Sequence, residues 1–263
     1  MATDFLTKII DRKNEEIAAA RHKVPESALR KKAAVSQEKR PLMKRLEKAG
    51  PSGVNIIAEI KRASPSKGSI RPDLDAVEYA LAYERGGAAA ISVLTDQPGF
   101  QGRPEDLTAA RRSVSLPVLR KDFLISAYQL YESSALGADA VLLIVRILSL
   151  KQLKDYLLLS RELGMDALVE VHSEKEIEIA ALAGARLIGI NNRNLNSFET
   201  NVNTAVDLAG KLQSDQIAIA ESGIKTPGDI QKLKRSGIWN FLIGESLVRA
   251  KSPEIFLKLL TGH

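Results

Sequence analysis

From residue 54 onward, short apolar runs alternate with amphipathic stretches at helical spacing. Eight runs read as strands, at 54–60, 88–94, 116–119, 138–145, 167–171, 186–190, 216–220 and 239–243, with starts about 20 to 35 residues apart. They are largely continuous rather than alternating in polarity, which is the pattern of parallel strands covered on both faces. Glycines precede several of them, in "ERGGA" (84–88), "LGAD" (136–139), "AGAR" (183–186) and "RSGIW" (235–239), as expected where a helix ends and turns into the next strand. Eight β/α units in this length predict the α/β class and, within it, a (β/α)8 TIM barrel. A doubly wound open sheet is the alternative. Its nucleotide-binding form should carry a Gly-rich turn after the first strand, and neither G-x-G-x-x-G nor G-x-x-x-x-G-K-[ST] occurs.

The first 50 residues have a different pattern. Phe5, Leu6, Ile9, Ile10 and Ile17 fall at helical spacing over 4–22, with an acid early and bases late, as the helix dipole favours. A second helical stretch over 41–49 stops at "GPSG" (50–53). The pattern predicts an N-terminal helical extension over 1–50 and a barrel catalytic domain over 51–263.

Composition narrows the class. With 44% hydrophobic and 27% charged residues the chain reads as an ordinary globular protein. It has no cysteine, so disulfides and thiolate metal sites are excluded, in keeping with a reducing cytoplasm. No apolar run approaches the roughly 18–20 residues of a membrane helix, and the N-terminus lacks the apolar stretch of a signal peptide. The expectation is a soluble cytoplasmic protein with no membrane partner. The net charge of +6 is concentrated at one end: residues 1–50 hold 13 Lys and Arg against 7 Asp and Glu, and the remainder balances. With aromatics at 5% and no basic stripe, nucleic acid is not an expected partner.

In a barrel, chemistry collects at the C-terminal ends of the strands. The first run ends in Glu59 and Lys61, two apart and hence on one face. The third runs into "RKDF" with Lys121 and Phe123, and the fifth ends in "VEVH" with Glu170. The sixth ends in "GINNRNL" with Asn191 and Arg193, the seventh in "AESG" with Glu221, Ser222 and Gly223, and the eighth in "LIGES" with Gly244 and Glu245. One such charge is ordinarily a solvated loop residue, but repetition at six strand ends points to an acid–base site. A second lysine beside Lys121 should lower its pKa toward working pH. "ESGI" and "IGES" each offer backbone N–H groups at a glycine before a helix, the chemistry of a phosphate site. The three histidines, His22, His172 and His263, are scattered and no cluster has metal spacing. His172 reads as a loop residue without substrate contact, and Trp239 as core or loop filler.

Together "EIKRASPSKG", "LRKDFLI", "VLLIVRIL", "LVEVHSEKE", "GINNRNL", "AESGI" and "LIGESL" resemble the indole-3-glycerol phosphate synthase family, in order and spacing from residue 54 to about 250. The resemblance implies a tryptophan-pathway lyase. Its substrate, 1-(2-carboxyphenylamino)-1-deoxyribulose 5-phosphate, closes a ring and loses carbon dioxide and water, without cofactor or metal. It further implies Lys121 as general acid and Lys61 against the substrate carboxylate. Glu170 would serve in the dehydration, Glu59 and Asn191 position groups around it, and Glu221 and Ser222 complete the polar wall. The backbone at Gly223, Gly244 and Glu245, with Lys61 and Ser64, would hold the phosphate. Pro65, Phe100, Phe123, Leu142, Arg193 and Leu195 would line the aryl pocket. A monomer is expected.

The chain departs from the family pattern at Gly99 and Arg103, in "TDQPGFQGRPEDL", and at Glu245, where a small residue is usual. Glu245 should therefore serve through its amide, with its carboxylate turned away. The rival readings are another phosphosugar barrel, either an isomerase or a Schiff-base aldolase using Lys121, and a non-catalytic relative that only binds phosphorylated ligands.

Overall fold

The computed structural model describes residues 2–35, 38–194 and 197–262. Eight parallel strands close into a barrel: β1 (Asn55–Ile60), β2 (Ala90–Leu94), β3 (Val118–Lys121), β4 (Ala140–Ile144), β5 (Asp166–Val171), β6 (Leu187–Asn191), β7 (Ile217–Glu221) and β8 (Asn240–Ile243). Closure comes from β1, which pairs with β2 (Ile57 with Ala90) and with β8 (Ala58 with Ile243). This is the TIM barrel anticipated from the sequence. Its strands start one or two residues later than the apolar runs in seven cases, because the first apolar residues, such as Ala88 and Leu116, are buried in the incoming loops. Three strands run further than expected, by two residues to Lys121 and by one to Asn191 and Glu221.

The period of two along each strand sorts the core into two layers. Ile56, Ala58, Val93, Val118, Leu143, Val169 and Ile188 face outward under the helices. Ile57, Leu119, Leu142, Leu168, Leu187, Ile219 and Leu242 face inward and fill the barrel. Two residues further along five strands, on the same inward face, stand Glu59, Lys121, Glu170, Asn191 (four after Leu187) and Glu221. The ionisable groups are thus the next storey of the barrel interior, supported from below by an apolar floor.

The outer helices begin and end where local chemistry dictates. Asp75, Ser126, Ser173 and Ser252 cap the helices that follow them, and Ser149–Gln152 and Thr226–Asp229 form capping boxes. Gly137 and Gly184 end their helices with φ of 90° and 82°, which a side chain would oppose.

Three helices precede β1: α1 (Ala2–Lys23), α2 (Glu26–Ala34) and α3 (Leu42–Leu46). The second was not foreseen, because its charge-rich face masks a stripe that buries only Leu29 and Ala33. It lies against the helix Ala127–Leu136, with the Arg30 guanidinium 4.6 Å from the Tyr131 ring centre. The third is shorter than expected and closes the N-terminal end of the barrel. Leu42 and Leu46 are fully buried against the inward layer, and the Leu46 carbonyl accepts from Trp239 Nε1 and Asn240 Nδ2. Trp239 is therefore a link to the extension. Among the described residues no helix is long and apolar enough to cross a membrane.

Candidate active site

The C-terminal mouth of the barrel opens into a cavity of about 790 Å³. Its floor is Leu142, Ile144 and Leu242, and its polar wall is Glu59, Lys61, Lys121, Glu170, Asn191 and Glu221. Ser64, Pro65, Phe100 and Phe123 line one side, and Arg193, Ser222, Gly223, Gly244 and Glu245 the other. Leu195 lies outside the described residues. All the other residues expected to act on or bind substrate meet in this one space.

Lys121 stands at the centre. Its Nζ is 2.8 Å from Glu170 Oε2 and 3.0 Å from Glu221 Oε2. Lys61 Nζ is 2.6 Å from Glu59 Oε1. Two glycines make these pairs possible. A Cβ at Gly244 would run into the Glu59 carboxylate, and one at Gly189 into that of Glu221. Both glycines occupy inward positions and surrender their volume to a neighbouring strand's glutamate. Gly244→Ala should displace Glu59 and its lysine, with kcat/KM falling by up to about 10²-fold, the scale of a 1 Å misplacement in a catalytic site. Steady-state kinetics on a variant with unchanged circular dichroism would check this.

The electrostatics correct one expectation. Burial by itself would lower the Lys121 ammonium pKa, but Glu170, Glu221 and Glu59 outweigh it and hold the pKa above the ordinary lysine value. Lys61 does not lower it, because its charge is already met by Glu59. Burial likewise works against ionisation of Glu170, yet Lys121 and then His172 keep that carboxyl below the usual range. Glu221 goes the other way: burial, reinforced by Glu170 and Glu59 against Lys121, pushes it up to about 7. A carboxyl raised on folding binds its proton more tightly in the native state, so its contribution to stability falls as pH rises between the ordinary value of 4.5 and about 7. Glu221→Gln removes that contribution. The urea midpoint of the variant should rise relative to wild type across this window and run parallel outside it. A constant difference would refute the assignment.

After β7, Ser222 and Gly223 both take positive φ, 67° and 79°, a conformation that turns successive N–H groups to one side. Ser222 is held there by Asn192, whose Nδ2 donates to its carbonyl at 3.1 Å. Ser246 Oγ donates to the Ile224 carbonyl, tying this turn to the one after β8. The Glu245 carboxylate lies 3.1 Å from Arg249 Nε and 3.9 Å from Arg193 Nη2.

After β1 the chain makes a small hairpin, Ala63–Ser64 with Gly68–Ser69, which was not foreseen. It brings Ser66 Oγ within 2.9 Å of Arg193 Nη1. Phe100 and Phe123 lie 6.4 Å apart with planes inclined at 41°. Gly99 has a local reason: its N–H donates to Asp96 Oδ2 at 3.0 Å, and a Cβ there would come within 2.8 Å of that oxygen. Arg103 is exposed and does not line the cavity.

Sequence reasoning missed Leu6 of α1, which lies over the mouth. It also missed Lys13, Asp96 and Asp122, all buried, with Asp122 lining the cavity next to Phe123. Lys13 Nζ is 2.8 Å from Asp96 and 2.9 Å from Asp122, directly after Lys121. A lysine in a charged helix offers no signal for this, since its partners are distant in sequence.

The model of the indole-3-glycerol phosphate synthase family matches residues 6–260. The indole-3-glycerol phosphate synthase of Desulfosudis oleivorans is 54% identical over 258 residues, covering 98% of each chain. That of Syntrophobacter fumaroxidans is 49% identical, covering 99% of this chain and 98% of its own. Among solved structures, a 3-hexulose-6-phosphate synthase superposes with a TM-score of 0.64 at 15% identity, covering 79% of this chain and 98% of that one, a likeness of fold alone. Matched over nearly its whole length by the family model and by relatives at about half identity, the chain belongs to the indole-3-glycerol phosphate synthase family.

Proposed function

We propose that this chain converts 1-(2-carboxyphenylamino)-1-deoxyribulose 5-phosphate to indole-3-glycerol phosphate, as a monomer in the cytoplasm. The observation that carries the reading is Lys121 Nζ held between Glu170 and Glu221 at the foot of the cavity, with a positive-φ turn on one side and two aromatic rings on the other.

The phosphate sits at the amides of Gly223, Gly244 and Glu245, with Ser64 and Lys61 beside it. The aryl ring lies against Phe100, Phe123, Pro65 and Leu142, next to Arg193. Anchoring both ends folds a flexible substrate so that its ring carbon meets its carbonyl carbon. As that bond forms, the carbonyl oxygen takes a proton from Lys121. The ring carbon then loses its carboxylate as carbon dioxide, the bonding pair returning to the ring, while Lys61 faces the departing group. Glu170 serves the last step, in which hydroxide leaves as water and a carbon-bound proton is removed; Glu59 and Asn191 position the groups around it. Each carboxylate that takes up a proton beside Lys121 makes that ammonium a stronger acid, so Glu221 and Glu170 can govern when Lys121 gives its proton.

The same geometry disfavours the aldolase reading. A Schiff-base lysine must lose its proton to attack a carbonyl, whereas carboxylates hold the pKa of this one up. The decisive experiment mixes purified protein with the carboxyphenylamino substrate and follows indole fluorescence. Fluorescent product that depends on the phosphate group supports the reading. Its absence from a folded protein, or inactivation by borohydride in the presence of substrate, overturns it.

A further inference from the structure

The cavity wall has a second layer behind Glu170. His172 follows β5, its side chain only 5% exposed, and it does not line the cavity. Its Nδ1 is 3.2 Å from Glu176 Oε2, and its Nε2 is 3.4 Å from Glu170 Oε1. Nε2 is buried and makes no hydrogen bond. Glu176, on the helix Glu174–Ala183, is fixed in turn: Oε1 accepts from Arg146 Nη2 at 2.7 Å and Nε at 2.9 Å, and Oε2 also accepts from the His172 backbone N–H at 2.8 Å.

This arrangement constrains where protons reside. An ionised carboxylate only accepts, so the contact with Glu176 requires the proton on Nδ1. In a neutral ring, Nε2 then presents a lone pair to Glu170 Oε1. Two acceptors facing each other out of reach of water repel, and one proton between them turns the repulsion into a charge-assisted bond. That proton sits on Nε2 beside the carboxylate or on Oε1 beside the neutral ring.

We propose that His172 is a positioning residue that stores a proton for Glu170. The proposal rests on the dehydration role given to Glu170 above. The proton on Nε2 passes to the Glu170 carboxylate, which delivers it to the leaving hydroxyl; the ring is left neutral with Nδ1 still protonated and Glu170 is left ionised. The proton removed from substrate carbon in the same step returns to the pair. The pair begins and ends with one proton, the hydroxyl leaves as water, and no further reactant is needed. The charged and titratable groups around the ring are Glu170 on β5, Glu176 on its helix, and Arg146 beyond Glu176. Lys121, Asn191 and Glu221 meet Glu170 from the cavity side.

The test reads the ring directly. The chain has three histidines, so the His172 ring nitrogen resonances are assigned by His22→Gln and His263→Gln and compared at one fixed pH. In Glu170→Gln the charge facing Nε2 is gone, and the Nε2 resonance should move toward that of a nitrogen without a proton while Nδ1 keeps its own. Unchanged ring resonances overturn the proposal, and this reading does not require the His172 variant to fold. In kinetics, His172→Gln should lower kcat about tenfold, less than the roughly 10²–10⁴-fold of a whole acid–base group, with KM unchanged. Wild-type kcat in that variant also overturns the proposal. If Glu170→Gln itself turns over at the wild-type rate, the role of Glu170 fails, and that failure is seen separately from the NMR result.

Discussion

Lys121→Met lowers kcat by about 10²–10⁴-fold, the range of a positioned acid–base group, while KM changes far less. Lys121→Arg is equally inactive. The pair of variants separates two properties of the side chain. Methionine removes both the charge and the proton, whereas arginine keeps a cation between Glu170 and Glu221 but does not release its proton at accessible pH. If Lys121 merely neutralises the two carboxylates at 2.8 and 3.0 Å, arginine should restore the rate. If it supplies the proton to the carbonyl oxygen, arginine should restore only stability.

A second consequence distinguishes the variants without substrate. In Lys121→Met the buried carboxylates of Glu170 and Glu221 face each other with no cation between them. One of them must take up a proton, so the variant is least stable at high pH and recovers as pH falls. Lys121→Arg shows no such recovery. Urea melts at several pH values and single-turnover fluorescence decide the matter. Equal rates in wild type and Lys121→Met would pass the acid role to Lys61, which lines the same cavity paired with Glu59.

The strand ends carried this much in sequence because a barrel strand imposes a period of two. Ile57 and Glu59, Leu119 and Lys121, Leu168 and Glu170, and Ile219 and Glu221 are each an apolar residue followed two later by an ionisable one. One inward position builds the floor and the next builds the site, a relation readable from spacing alone. The sequence is silent where the determinant is a partner on another strand. The direction of the Lys121 pKa depends on where three carboxylates converge, and the nearby Lys61 suggested the opposite sign. His172 read as a loop residue because nothing local shows that Glu176 turns its ring toward Glu170. Gly244 read as part of a phosphate site and Gly189 carried no reading, and a reason for both is the volume they yield to Glu59 and Glu221. The helix α2 was invisible for a different cause: a buried stripe of two residues is too narrow for periodicity to register.

Lys13→Met destabilises the protein by about 3–5 kcal/mol, the cost of stripping one partner from a buried ion pair, out of a total of roughly 5–15 kcal/mol for a native domain. Lys13 is 3% exposed, yet its ammonium is held by Asp96 and Asp122 as well as by Glu16. Burial on its own would lower its pKa, and Asp122 and Asp96 reverse that. Arg12 stays with Asp96 and Arg120 with Asp122 in the variant, so the loss falls at the low end of the range if those cations compensate. The site also feels the change. Asp96 Oδ2 holds the N–H of Gly99 beside Phe100, and Asp122 Oδ1 holds the N–H of Phe123. Loosening both carboxylates frees the two rings, and KM should rise more than kcat falls. Acid supplies an independent check. Against burial, Arg120 and Lys13 hold the Asp122 carboxyl at about 2, below its ordinary 3.8. Its contribution is therefore present above that ordinary value and lost as pH falls toward 2. Without Lys13 the Asp122 pKa rises, and the acid-unfolding midpoint should move to higher pH. A urea midpoint and an acid midpoint both equal to wild type would mean that the Coulombic gain of this ammonium only balances its desolvation, leaving the extension anchored by its other contacts, among them Arg12 with Asp96 and the packing of Ile9, α2 and α3.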